Sequence, residues 1–179
     1  AAAASSGVKL DAVPTEMLDR YSSVLGDIFH FEDRAKVPVH HSAKKAYFIA
    51  LRDAFLPFVP SAIAEELAKM VAGGMTKEEC EAKRYYKFDY FRERVARYAP
   101  PPSVLYKRVR AVFELFGPIQ DKATGKPLFN DAAWAKANHV LKEILAGHAS
   151  DPPGHEMYKA RIDSNGQPAT DGKGSQLLD

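Results

Sequence analysis

One cysteine, Cys80, stands in a chain of 179 residues. A single thiol closes no internal disulfide and builds no cysteine-based zinc site. That scarcity suits a reducing compartment. No apolar run approaches the roughly 18 residues needed to span a bilayer, because Lys, Arg or Pro interrupts every longer stretch. There is no Asn-x-Ser/Thr acceptor and no internal repeat. The hydrolase and nucleotide signatures G-x-S-x-G, H-E-x-x-H and Walker A are missing too. Gly172-Lys173-Gly174-Ser175 has neither a strand before it nor a helix after it, so it does not read as a phosphate loop. These absences point away from an enzyme and imply no cofactor. The net charge is only +2, so no global field demands a polyanion.

What is present is ordinary globular material, 46% apolar, enough for a real core. Its periodicity is helical. Residues 1–13 read as an N-terminal arm. A first helix is expected from Pro14, with Leu18, Tyr21, Leu25 and Ile28 on one face. Ser42 is the expected cap of a second helix, carrying Tyr47, Ala50, Leu51, Ala54 and Phe55 inward and closed by Pro57 and Pro60. Ser61 is the expected cap of a third, with Ile63, Leu67, Met70 and Val71 inward and Gly73-Gly74 as the stop. Thr76-Lys77-Glu78-Glu79 spells a capping box. It opens a fourth helix expected to run to Tyr98, with Phe88, Phe91, Val95 and Tyr98 along one side.

Ser103 is the expected cap of a fifth helix, whose stripe is Leu105, Val109, Val112, Phe113 and Phe116. Residues 121–126 read as a turn. Asn130 caps a sixth helix that buries Trp134, Ala137, Leu141, Ile144 and Leu145, and Gly147 ends it. The expected fold is therefore mainly α: about six amphipathic helices in one bundle-like domain, residues 14–147. Residues 148–179 hold three Pro and four Gly with no apolar period. They read as an extended, helix-poor tail, with a turn at Asn165-Gly166. Order in such a tail calls for contact with its own domain or, better, with a partner.

The strongest local composition lies in residues 83–110. Nine cations face only Asp89 and Glu93 there, and Tyr85, Tyr86, Tyr90 and Tyr106 are interleaved. Arg and Lys neutralise phosphate, and aromatic faces stack on bases. The same face suits an acidic protein subunit or an anionic lipid, and two amphipathic helices with solvated charges would carry the same composition. Candidate partner contacts are Arg84, Lys87, Arg92, Arg94, Arg97, Lys107, Arg108 and Arg110, joined in the tail by Asp151, Pro152, Pro153, Gly154 and Tyr158. Of six histidines, His148 and His155 sit close together in a loop with Asp151 between them. His148, Asp151 and His155 offer N and O donors to a divalent metal, at no standard ligand spacing.

The N-terminus, Ala1-Ala2-Ala3-Ala4-Ser5-Ser6-Gly7, has the small residues expected where a targeting peptide has been removed. The expected location is an organelle, mitochondrion or plastid, with nucleus or cytoplasm as the alternative.

Three stretches carry a resemblance. They are Arg97-Tyr98-Ala99-Pro100-Pro101-Pro102, then Gly125-Lys126-Pro127-Leu128-Phe129-Asn130, then Ser150-Asp151-Pro152-Pro153-Gly154 with Tyr158. Residues 97–179 so resemble a region of transposon-associated proteins of fungi and other eukaryotes, written R-Y-x-P-P-P, G-x-P-L-F-N, S-D-P-P-G-x-x-x-Y, then R-G-T-S-x-L-E-G-x-H. Against the last piece, Gly172 to Asp179 lacks the Arg and sets Asp179 near the family's Glu. The resemblance implies ancestry and no mechanism. The leading expectation is a non-catalytic accessory subunit of a larger assembly, binding other subunits through its tail and basic face. A nucleic-acid-binding relic of a mobile element is the alternative, and a metal-dependent nuclease at His148, Asp151 and His155 the weaker one.

Overall fold

Proline and glycine punctuation decides where the helices lie. The computed structural model describes residues 7–21, 31, 34, 37–153, 163–167, 169 and 170. Among them run six helices: α1 Lys44–Phe55, α2 Pro60–Ala72, α3 Lys77–Tyr86, α4 Phe88–Arg92, α5 Pro102–Phe116 and α6 Asp131–Leu145. The chain is mainly α, as its periodicity predicts. The strand-like pairings among the described residues are two isolated bridges, Phe58 with Arg97 and Gln120 with Pro127.

Two expected N-caps are in place. The Thr76 hydroxyl accepts from the Glu79 N–H at 3.2 Å, and the Glu79 carboxylate accepts from the Thr76 N–H at 2.8 Å. Those bonds from the Thr76 backbone and hydroxyl hold the Glu79 carboxyl below its usual pKa. Asn130 accepts from the Ala133 N–H at 2.9 Å. Three other expected caps do different work. Proline occupies the first turn of α2 and α5, where its missing N–H costs nothing. Ser61 therefore lies inside α2. At α5 the Ser103 N–H donates to Asp19 at 2.8 Å, so a carboxylate distant in sequence meets the positive helix end. Ser42 accepts from the Lys122 N–H at 3.3 Å instead of capping α1.

Two helices close with the same geometry. After α6, Gly147 takes φ +82. Its N–H donates to Ile144 O at 2.9 Å, and the His148 N–H donates to Glu143 O at 3.2 Å. After α2, Gly74 and Met75 repeat this on Val71 O and Met70 O. Both ends are Schellman motifs, which need a residue free of Cβ strain.

By its contacts the chain divides into two compact units, Ala1–Leu56 with Ala99–Pro152, and Pro57–Tyr98 with Pro153–Asp179. The division cuts through the stretch 14–147 that reads as one helical domain. It also places residues 148–152, the expected start of the tail, in the first unit.

In the first unit α5 packs against both α1 and α6. Phe129 is its aromatic centre, with ring centroids 4.8 Å from Trp134, 5.5 Å from Tyr47 and 5.7 Å from Phe113. Each such pair adds about 0.5–1.5 kcal/mol beyond burial alone. The 121–126 turn forms as expected and is tied down by Asp121. Its carboxylate accepts from Ser42 N–H at 2.9 Å and from Thr124 N–H and hydroxyl at 3.0 and 2.9 Å. These bonds hold the Asp121 pKa well below the usual carboxylate range.

The expected first helix is not formed where the chain is described. Gly7 to Tyr21 is irregular, Leu18 is 62% exposed, and Leu25 and Ile28 lie outside the described residues. Tertiary hydrogen bonds hold this arm instead. The Asp11 N–H donates to Asn138 at 2.8 Å, the Asn138 amide donates to Lys9 O at 3.0 Å, and Arg110 donates to Asp11 O at 2.6 Å.

The second unit is smaller at its centre. Ile63, Met70, Cys80, Phe91 and Val95 form its core. The expected long helix from Thr76 to Tyr98 is broken at Lys87, φ −124 and ψ 54. Beyond α4 the Val59 N–H donates to Ala96 O at 2.8 Å and the Tyr98 N–H to Pro57 O at 3.2 Å. That pairing needs extended backbone and excludes a continuous helix. In residues 163–167, Asn165-Gly166 does sit in a turn. Asp163 accepts there from Asn165 and Gln167 N–H groups at 2.8 and 3.0 Å.

Candidate interaction surface

The helix α2 has more apolar surface than one core can use. Ile63, Glu66 and Met70 face inward. Of the two others expected on that inner face, Leu67 is half-buried and packs against this core, while Val71 is 41% exposed. With Ala64, Ala68 and Ala72 they line a groove of about 600 Å³ between α2 and α3, edged by Lys77 and Glu81 and bordered by the thiol-bearing Cys80. A helix apolar on two faces either lies buried between neighbours or offers one face to a partner. The signal was readable: Ala64, Ala68 and Ala72 recur every four residues beside Leu67 and Val71.

A carboxyl replaces an apolar side chain at the centre of the inner face. Glu66 is 3% exposed. It accepts from the Tyr90 hydroxyl at 2.7 Å, with Lys69 Nζ at 3.8 Å. The Tyr90 ring is covered by two cations, Lys83 Nζ at 3.7 Å and the Arg94 guanidinium at 4.2 Å from its centroid. Such contacts are worth about 0.5–2 kcal/mol each. The cluster ties α2 to α3 and to the segment after α4.

The basic residues of 83–110 are divided between the units, Lys83 to Arg97 in the second and Lys107 to Arg110 in the first. Several are engaged in their own unit. Arg97 is buried with its guanidinium 5.5 Å from the Phe58 ring. Arg94 also donates to Tyr90 O at 3.2 Å. Arg108 donates to Ala54 O and Asp53 O at 3.2 and 2.9 Å, meeting the last carbonyls of α1. Arg110 donates to Glu114 at 2.7 Å and to the Tyr106 hydroxyl at 2.9 Å. Burial works against its charge, yet these two neighbours raise its pKa above the ordinary value.

Arg84, Lys87, Arg92 and Lys107 remain exposed. Arg84 lies 3.9 Å from Glu81 and Arg92 lies 3.5 Å from Asp89. Beside Arg84 and Lys87, Tyr86 is 84% exposed.

In the tail, Ala149 and Ser150 are buried. Asp151 accepts from the Ala99 N–H at 3.1 Å. Pro152 is half-buried and Pro153 exposed, while Gly154, His155 and Tyr158 lie outside the described residues. Of the metal candidates His148 is half-buried. Among the described residues no group of three or more His, Cys, Asp or Glu side chains is placed to hold a metal ion. No described helix is long and apolar enough to cross a membrane. No protein-family model, curated protein or solved structure matches the chain.

Proposed function

We propose that this protein is a non-catalytic subunit that binds other proteins, with the α2/α3 groove as its docking site. The observation that carries the reading is the exposed apolar stripe of Ala64, Ala68, Val71 and Ala72 along that groove. Water contact at such a stripe is unfavourable, and docking a partner relieves it. The exposed Arg84, Lys87 and Arg92 of the same unit suit acidic side chains. Native purification of the full chain tests this. The expected outcome is elution in an assembly, lost on Val71→Glu with helicity unchanged. Recovery of the wild type only as a free monomer sinks it.

A second reading, a nucleic-acid-binding relic of a mobile element, is favoured by Tyr86. An exposed ring between Arg84 and Lys87 offers a base-stacking platform. Three exposed cations, Arg84, Lys87 and Arg92, limit the electrostatic part. At about 0.7 per phosphate on a single strand, the slope of log K against log salt is no steeper than about −2. A salt titration with single-stranded RNA and DNA decides it, with Tyr86→Ala expected to weaken binding. Binding absent at low salt, or unchanged by that substitution, removes the reading.

A further inference from the structure

We infer that His41 is an acid-sensitive latch on the start of α1: its neutral ring ties α1 to the 121–126 turn, and its protonated ring lets α1 go. The ring is 7% exposed, and both of its nitrogens are engaged. Nε2 lies 3.2 Å from the Lys126 carbonyl oxygen, which only accepts, so Nε2 carries the proton. Nδ1 lies 3.1 Å from the Ala43 nitrogen, whose N–H only donates, so Nδ1 is the bare acceptor. The two partners together fix one neutral tautomer. Backbone bonds tighten the same junction. The Lys44 N–H donates to His41 O at 3.0 Å, and Lys126 O also accepts from the Asp121 N–H at 2.8 Å.

A second proton on the ring goes to Nδ1, where it faces the Ala43 N–H. That bond is then lost, while Nε2 donates to Lys126 O in both forms. Acid thus unfastens the α1 side and leaves the turn side attached. Most charges on the segments bound to the ring oppose an added cation. The first turn of α1 holds Lys44 and Lys45 and no acidic residue, and the helix end is itself positive. Lys122 and Lys126 on the turn and His40 before the ring are exposed. Asp121 is the one anion among them and favours the charged ring. Its bonds from Ser42 and Thr124 hold its carboxyl well below the usual carboxylate range, so it stays charged throughout. Histidine ordinarily changes charge between about pH 5 and 8. Of the groups that make these bonds, the His41 ring alone does so in that range.

Nuclear magnetic resonance of the full chain tests this. At about pH 8, long-range nitrogen–proton correlations are expected to show His41 protonated at Nε2 and bare at Nδ1. As the ring takes its second proton, the protection of the Ala43 amide against hydrogen exchange should fall about tenfold, the loss of one hydrogen bond. The Asp121 amide should keep its own protection. His41→Asn offers Ala43 an acceptor that does not titrate, since an Asn side chain bonds the N–H two residues on. Ala43 protection in that variant should therefore hold steady from about pH 8 to about pH 5. A His41 ring protonated at Nδ1 at the upper pH overturns the inference. So does Ala43 protection that is unchanged when the ring charges, or that falls equally in His41→Asn. The wild-type measurements decide the matter even where the variant does not fold.

Discussion

The two units use the same residue types in opposite directions. The first turns its aromatics inward around Phe129 and ties two of its arginines to itself, Arg108 on the carbonyls ending α1 and Arg110 on Asp11 O, Glu114 and Tyr106. The second surrounds a buried carboxyl with a small core and leaves Val71, Tyr86, Arg84 and Lys87 in solvent. Composition is therefore a poor guide to surface. A cation near a helix C-terminus or an aromatic face is absorbed by it, and one without such a neighbour stays available.

Truncating the cores gives the largest effects. Phe113→Ala in the first unit and Phe91→Ala in the second should each cost about 3–5 kcal/mol, read by chemical denaturation, since both rings are fully buried. Hydrogen exchange should place each loss in its own unit; equal loss of protection in both breaks the comparison. Gly147→Ala comes next. A left-handed non-glycine residue costs about 1–3 kcal/mol. Its Cβ would also press into the Arg20 carbonyl oxygen, so the arm should become a protease target along with the lower melting temperature.

Tyr90→Phe leaves the buried Glu66 without its hydroxyl donor and should cost about 1–2 kcal/mol, with the helix content of the second unit retained. Asp121 gives the smallest effect. Its folded pKa is depressed by the Ser42 and Thr124 bonds, so it stabilises the fold at neutral pH. That contribution is lost as pH falls below the ordinary carboxylate value toward the folded one. Thermal melts carried into acid should therefore show a shallower decline for Asp121→Asn than for the wild type.

The sequence made the local rules legible. The Thr76 box, the Asn130 cap, the Gly73-Gly74 and Gly147 stops and the stripes of α1, α5 and α6 each depend on neighbours within a turn or two. What it concealed depends on distant chain. Asp19 replaces Ser103 as the partner of the α5 N-terminus, and Ser42 serves Lys122. The Lys87 break lies inside an unbroken apolar period, and the pairing that keeps residues 96–98 out of a helix is with distant residues 57–59. The candidate surface was half visible. Leu67 and Val71 have the spacing of an inner face, yet Leu67 packs on the core and Val71 is exposed, while Glu66 is buried. The basic stretch was fully visible as composition, while its use was not: the carbonyls that hold Arg108 are some fifty positions upstream.

The discontinuity of the first unit has a consequence for how the chain is made. Among the described residues, α1 packs on α5 and the arm is hydrogen-bonded to Arg110 and Asn138, so α1 and the arm emerge from a ribosome before these partners. The α2–α3 hairpin, with contacts across a single short turn, closes as soon as it is synthesised, since near-neighbour contacts form fastest. During synthesis the order of events is thus inverted along the sequence. The middle of the chain matures first, and the beginning waits for the end.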